Sequence, residues 1–361
     1  MARVSRTRAL GALLGAATLC LAAWGCGGGD DGGGEAPAAA FTRAPYLTRV
    51  APTSARMRWV APPGTRVTVT ATPADGGAAR TADGGDLRGL APDTRYAWTA
   101  RIDGRDAASG AFTTAPRDLS RPLDLVAFGD YGAPNDSSRA VAARVAAEEP
   151  RLLVTAGDNA YIVTLPQLLD ELVFGPLAPV LGSAPNYGTV GDHDVVFPAG
   201  QRALAEAFEW PADGERYDLR YGPVQVVAIG LRGDAADVPF LRRALARPGP
   251  LARLVVMHQP VTAGNPVLPV IAAADVTAVL AGHLHAYERR EVAGAPGVPF
   301  LTVGTGGAPR NDGRTPRSRD AVVYLAAFGV LRVRLHDGRA TFAFVDVEGR
   351  VRDTLEAPLL S

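Results

Sequence analysis

Val276-Thr277-Ala278-Val279-Leu280-Ala281-Gly282-His283-Leu284-His285 is a mostly apolar run that stops at a glycine and then presents two histidines one residue apart. A short run of this kind reads as a buried strand. A His-x-His pair just past its end can address two neighbouring metal ions, one from each side. The same construction recurs upstream. Residues 253–257 lead into His258, residues 151–156 into Gly157-Asp158-Asn159-Ala160-Tyr161, and Leu123–Phe128 into Gly129-Asp130-Tyr131-Gly132. Gly191-Asp192-His193-Asp194 is a further block of this type. The chain has five histidines, and four of them fall in these blocks, which points to a metal site built at strand ends.

The surrounding pattern is α/β. Buried-type strands are expected at Leu123–Phe128, 151–156, Val224–Ile229, 254–257, 276–280 and Phe300–Val303, alternating with helical stretches. Helical spacing predicts helices over 138–148, 165–174, 201–208 and 239–246, the first with Ser137 or Asp136 as N-cap. The tail returns to β at 329–335, 340–347 and 351–355. His336 falls in the turn between the first two of these and reads as a surface residue. Ligands in such sheets sit beyond the carboxyl ends of strands. The glycine before each aspartate lets the chain turn sharply there.

Before this region, residues 41–116 read as all-β. Short alternating runs at 55–60, 66–71, 96–102 and 110–114 are separated by turn-rich stretches. A sandwich of about seven short strands is expected, with Trp59 and Trp98 in its core and a linker beginning at Arg117. Nothing in it looks catalytic.

The first residues read as an export signal. Arg3, Arg6 and Arg8 precede an apolar stretch over 9–23 that is short for a membrane span. The only two cysteines, Cys20 and Cys26, lie in this segment, so the globular part has neither a disulfide nor a cysteine ligand. Cys26 and the glycine-rich run after it resemble the start of a mature bacterial lipoprotein, a lipid-bearing cysteine followed by a flexible tether. The expected organisation is a signal with its lipoprotein cysteine at 1–26, a linker at 27–40, the β domain at 41–116 and the α/β domain at 121–361. The protein would then be an exported lipoprotein of the bacterial cell envelope, periplasm-facing or at the cell surface, held to a membrane only by its lipid; without lipidation it would be secreted. Formal net charge is zero, which argues against a nucleic-acid partner.

The donor inventory is oxygen and imidazole nitrogen: Asp130, Asp158, Asp192, His258, His283, His285 and the Tyr161 phenol. That exceeds one tetrahedral zinc. It fits two metals sharing a carboxylate, an arrangement that clamps a phosphoryl group. Each residue alone has a plainer reading. Asp130 and Asp158 would be turn residues, and His258 a satisfied structural histidine. The order of all five blocks outweighs those readings. Asp194 reads as a turn or supporting residue.

Taken together, these five blocks resemble the signature of purple acid phosphatases, members of the calcineurin-like metallophosphoesterases. The flanks Ala286-Tyr287-Glu288-Arg289 and Gly304-Thr305-Gly306-Gly307 resemble that family too. Ala44-Pro45-Tyr46-Leu47 and Gly89-Leu90-Ala91-Pro92-Asp93-Thr94-Arg95-Tyr96 resemble its fibronectin-III-like front module. The resemblance implies an αββα sandwich and a dinuclear centre of Fe(III) with Fe(II), Zn(II) or Mn(II). It implies hydrolysis of a phosphate ester, monoesters preferred, by attack of metal-bound hydroxide. The first metal would take Asp130, Tyr161 and His285, with Asp158 bridging. The second would take Asp192, His258 and His283, and His193 would meet the substrate.

Two departures from the family stand out. The family has asparagine where this chain has Asp192, so the centre carries one positive charge fewer. That favours Mn or Ca in the second site, and it also resembles the alkaline phosphodiesterase branch called PhoD-like. In addition, residues 259–274 hold none of the further substrate-facing histidines of plant members. The alternatives are therefore a PhoD-like alkaline phosphodiesterase/phosphatase and a non-catalytic, metal-containing surface binding protein.

Overall fold

The computed structural model describes residues 40–309 and 317–360. The expected signal, Cys20, Cys26 and nearly all of the glycine-rich linker lie outside the described residues. No helix among the described residues is long and apolar enough to cross a membrane.

Seven strands come first. β1 (Arg43–Ala51), β2 (Ser54–Val60) and β5 (Asp86–Arg88) form one sheet; β3 (Val67–Pro73), β4 (Arg80–Asp83), β6 (Arg95–Ile102) and β7 (Arg105–Thr113) form another. Alternation drives the burial, since Tyr96, Trp98, Ala100 and Ile102 all lie on the buried face of β6. Trp98 does more than fill that face. Its indole N–H donates to the Gly182 carbonyl at 2.9 Å, joining the front sheets to the region behind them. Tyr46 donates to the Ala207 carbonyl at 2.8 Å, and Arg58 pairs with Glu209 at 2.7 Å. Trp59 is only half-buried, against Phe41.

The rest of the described chain is layered. Its elements are β8 (Leu123–Phe128), α1 (Asp136–Ala147), β9 (Leu152–Thr155), α2 (Gly175–Leu181), α3 (Pro198–Phe208), β10 (Arg216–Tyr221), β11 (Val224–Ile229), α4 (Val238–Leu245), β12 (Ala252–Val256), α5 (Leu268–Ala272) and β13 (Ala278–Ala281). Then follow β14 (Tyr287–Arg290), β15 (Phe300–Val303), β16 (Ala321–Leu325), β17 (Gly329–His336), β18 (Arg339–Asp346) and β19 (Val351–Pro358). One sheet runs β10-β11-β12-β13-β15-β14-β16, the other β19-β18-β17-β8-β9.

Period-two alternation explains how the sheets stack. Val226, Ala228, Leu254, Val256, Ala278 and Leu280 face a core shared with β8, β9, β17 and β18. Their chain neighbours Val227, Ile229, Val255 and Val279 face a second core with Leu241 and Leu245 of α4 and Ile271 of α5. A strand buried on both faces is largely apolar, as these are apart from Gln225 and Arg253, which are buried and bonded to each other at 3.2 Å. Each buried Val, Leu or Ile contributes roughly 1.5–3 kcal/mol. The result is helix, sheet, sheet, helix.

The differences from the sequence expectations have local causes. Asn135 is the N-cap of α1, not Ser137 or Asp136; its side-chain oxygen accepts from Ser138 N at 2.8 Å. The single helix expected over 165–174 is a 3-10 turn at Pro166–Leu168 and a π-turn at Asp170–Phe174, followed by α2. Pro176 sits in the first turn of α2, where a missing N–H is harmless. β10 and β14 went unanticipated because charged residues interrupt their alternation; β16, a short uncharged strand, was not anticipated either. In β14 the buried Glu288 accepts from Ser318 N and Oγ, and the buried Arg290 pairs with Asp320 at 2.9 Å. His336 ends β17 at the hairpin and is exposed, as expected.

Candidate metal centre

β11, β12, β13 and β15 are parallel to one another, as are β8 and β9, so several carboxyl ends point the same way. The two sheets meet there. Gly129 N, just past β8, donates to the Val303 carbonyl of β15 at 2.8 Å, and Asp130 N donates to the Gly157 carbonyl at 3.0 Å. Asp130, Asp158, His258 and His283 each lie within three residues of a strand end. Asp192, His193 and Asp194 come instead from the loop before α3.

The backbone is bent to bring these donors inward. Asp130, Asp158, His283 and His285 all have positive φ, at 58°, 50°, 71° and 46°. Left-handed conformations are costly for residues other than glycine and gather at functional sites. Of the three glycines that precede the aspartates, only Gly157 itself turns left-handed, at φ 84°. Gly191 is required for a different reason: a Cβ there would sit 2.1 Å from Asp158 Oδ1.

Two donor groups result. Asp130, Asp158 and His285 form one, and Asp192, His258 and His283 the other, each with its ligand atoms within 4.8 Å of one another. Tyr161 Oη completes the first group, 3.2 Å from Asp130 Oδ1, 2.7 Å from Asp158 Oδ2 and 3.0 Å from His285 Nε2. In the second, Asp192 Oδ1 lies 2.8 Å from His258 Nε2 and 3.0 Å from His283 Nδ1. Asp158 Oδ2 stands between the groups, 3.4 Å from His258 Nε2. All seven residues expected as ligands are thus brought together.

Second partners fix the ring orientations. His258 Nδ1 donates to the Ala156 carbonyl at 2.9 Å and His285 Nδ1 to the Pro309 carbonyl at 2.8 Å. Each bond leaves Nε2 for the centre, the usual way a ligating histidine is held. His193 Nδ1 donates to the Ile162 carbonyl at 2.6 Å, turning Nε2 toward Asp158 Oδ2 at 4.0 Å. Its ring lies 4.4 Å from that of Tyr161, centroid to centroid.

The electrostatics suit cations. Asp130 and Asp158 are buried, and among the described residues their side chains bond or pair only with Tyr161, histidines and backbone N–H groups. Buried carboxylates are stable only when something positive offsets them. Here protons do so. Burial alone would lower the pKa of His258, but its bonds to Asp158 and Asp192 carry it well above the ordinary value. Burial likewise opposes a raised pKa at His285, and Asp130 overcomes it. Burial, then the Asp130 and Asp158 charges, push the Tyr161 phenol far up. Hydrogen bonds from His258 and His283 hold the Asp192 carboxyl well below the usual carboxylate range. This donor set fits two multivalent cations, whose binding would displace those protons.

Asp194, expected only as a turn or supporting residue, is fully buried and ties two site loops together. It accepts from Asn159 N at 3.1 Å, Asn159 Nδ2 at 2.8 Å, Gly191 N at 2.8 Å and Thr164 Oγ1 at 2.5 Å. Asn159 and Thr164 were not singled out in the sequence. Their role depends on contacts across about thirty positions of chain, which no local pattern displays.

No protein-family model matches the sequence, and no curated protein matches it. Solved structures do. A purple acid phosphatase from yellow lupin (Lupinus luteus) seeds superposes with a TM-score of 0.74 at 14% identity, covering 88% of this chain and 75% of that one. A structure of PhoD gives 0.65 at 10% identity, covering 88% and 89%. GAP50, the anchor in the inner membrane complex of Plasmodium, gives 0.54 at 15% identity, covering 66% and 90%. What is shared is architecture: this chain has the αββα sandwich fold of those proteins.

Proposed function

We propose that this protein is an exported phosphoric ester hydrolase, acting on phosphomonoesters with two metal ions. The observation that carries the reading is the position of Asp158 Oδ2 between two complete donor groups, 2.7 Å from Tyr161 Oη and 3.4 Å from His258 Nε2. Asp130, Tyr161 and His285 would hold Fe(III), for which a phenolate is a suitable hard donor. Asp192, His258 and His283 would hold Fe(II), Zn(II) or Mn(II), with Asp158 common to both. Two such ions, when bound, offset charge on the phosphoryl oxygens and make a nucleophile available at neutral pH.

The chain's own groups do the positioning. With His193 Nδ1 committed to the Ile162 carbonyl, Nε2 is the ring nitrogen that faces the centre. It can accept a hydrogen bond from a protonated non-bridging phosphoryl oxygen, or carry the proton that the leaving oxygen needs. Asp194 holds the Asp158 and His193 loops at a fixed spacing, so that Nε2 and the donors converge on one phosphoryl group.

Purified protein reconstituted with Fe or Mn should hydrolyse p-nitrophenyl phosphate. Absence of metal-dependent turnover, with bis-p-nitrophenyl phosphate also inert, would sink the proposal. A PhoD-like phosphodiesterase/phosphatase is the second reading, favoured by Asp192 and by the PhoD fold likeness; it predicts that the diester is the better substrate. Lipidation at Cys26 and anchoring in a bacterial envelope belong to the same proposal, and globomycin-sensitive processing of the precursor would test them.

A further inference from the structure

Among the described residues, three of the six exposed large apolar side chains stand beside this one site. Ile162 is 80% exposed, Val196 51% and Phe197 46%. Isolated exposed hydrophobics are ordinary, but a concentration of them marks a binding surface. Ile162 directly follows Tyr161 and offers its carbonyl to His193. Val196 and Phe197 follow the His193 block and lead into α3.

The two loops that carry them are pinned together. Thr164 N donates to the His193 carbonyl at 3.3 Å, and Thr164 Oγ1 bonds the buried Asp194. A Cβ at Gly200 would sit 1.9 Å from the Thr164 carbonyl oxygen, so α3 begins hard against the first loop. Polar residues would satisfy these backbone bonds equally well, so the bonds do not explain why the side chains are apolar.

The charge pattern points the same way. The described loops that carry the seven donors (129–135, 157–165, 191–200, 258–267 and 282–287) contain no arginine, in a chain whose basic side chains other than histidine are all arginine. A leaving group bearing further phosphates or carboxylates would find no cation in these loops. An apolar one would find Ile162, Val196 and Phe197.

We infer that these three side chains form a subsite for the leaving alcohol, and that the substrates are phosphoesters of apolar alcohols, alkyl or aryl. This rests on the phosphoesterase reading above. In the reaction a water oxygen bonds to phosphorus and the bond from phosphorus to the alcohol oxygen breaks. One proton passes to that oxygen, releasing the alcohol and inorganic phosphate. The apolar chain stays beside His193 throughout, so its burial favours substrate and transition state together and acts on kcat/KM.

The test uses n-alkyl phosphates from ethyl to hexyl, whose leaving oxygens are chemically alike. In the metal-reconstituted wild type, kcat/KM should rise about two- to fourfold per added methylene. In Val196→Ser with Phe197→Ser, which keep every backbone bond and leave the Ile162–His193 contact untouched, the rise should flatten while ethyl phosphate turnover is retained. Alkylphosphonates of the same lengths, measured by calorimetry, should bind in the same order and lose that order in the double variant. Vesicles doped with a lipid phosphate monoester separate the two sources of such an alcohol. Turnover there, lost in the double variant, assigns a bilayer lipid; turnover of soluble esters alone assigns a free amphiphile. A profile flat with chain length in the wild type, or equally steep in the variant, overturns the inference. So does a double variant that changes only the oligomeric state, since the patch would then join two copies of the chain. Failure to hydrolyse any ester, ethyl phosphate included, instead removes the phosphoesterase reading on which the inference stands.

Discussion

Asp192 Oδ1 is bracketed by His258 Nε2 at 2.8 Å and His283 Nδ1 at 3.0 Å, so a single carboxylate oxygen meets both imidazoles of the second donor group. An asparagine there would offer the same reach without the charge. Asp192→Asn should therefore weaken the second cation by on the order of tenfold, because ligand charge count sets affinity for hard cations. Calorimetric titration of Mn(II) reads this directly. Unchanged affinity would mean that the Asp192 charge does not act on the second cation.

Removing metal should make stability depend on pH in a particular direction. His258 and His285 have raised folded-state pKa values. The stability they contribute is complete below the unfolded value of about 6.5 and is lost as pH rises through the folded values. The chelator-treated protein should thus melt at progressively lower temperature from about pH 6.5 upward. Adding metal should flatten that slope and release protons. A melting temperature that climbs over the same range would contradict the assignment.

Tyr161 and His193 separate cleanly by experiment. Tyr161→Phe should abolish a visible charge-transfer band in Fe-loaded protein. His193→Ala should keep that band and the metal content while lowering kcat roughly 10²–10⁴-fold. Loss of metal from His193→Ala would make it a ligand and not a substrate-facing group.

Asp194→Ala removes an acceptor serving four donor groups in a fully buried position. Orphaned buried donors cost about 1–3 kcal/mol each, so a loss of about 3 kcal/mol or more is expected in chemical denaturation. Asp194→Asn should recover part of it. A change below about 0.5 kcal/mol, within the range of ordinary surface substitutions, would show that other groups hold the two loops.

The legible parts of this chain were those written in local pattern. The runs ending at Phe128, Ile229 and Val303 are mostly apolar, each broken by a single polar residue (Asp124, Gln225 and Thr302), and their bounds came out as read. Six of the seven donors could be named because each follows a short, glycine-marked break, and His258 because it ends an apolar run. β14 stayed hidden because its buried Glu288 and Arg290 are satisfied by Ser318 and Asp320, about thirty residues away. The interruption at 165–174 was hidden too, since helical spacing looks alike in α-, 3-10 and π-turns. Ile162, Val196 and Phe197 carry no signal in sequence, where an exposed apolar residue looks like any core residue.

The left-handed backbone at Asp130, Asp158, His283 and His285 has a consequence for anyone copying the centre. Four of the seven donors occupy conformations that L-residues disfavour, each at a cost of order 1–3 kcal/mol. Placing the same side chains on an ordinary helix or strand would reproduce the list of atoms but not their convergence. The transferable unit is the set of crooked strand exits and the packing that keeps them crooked. A designed scaffold should be judged on whether it holds those φ angles before any metal is offered to it.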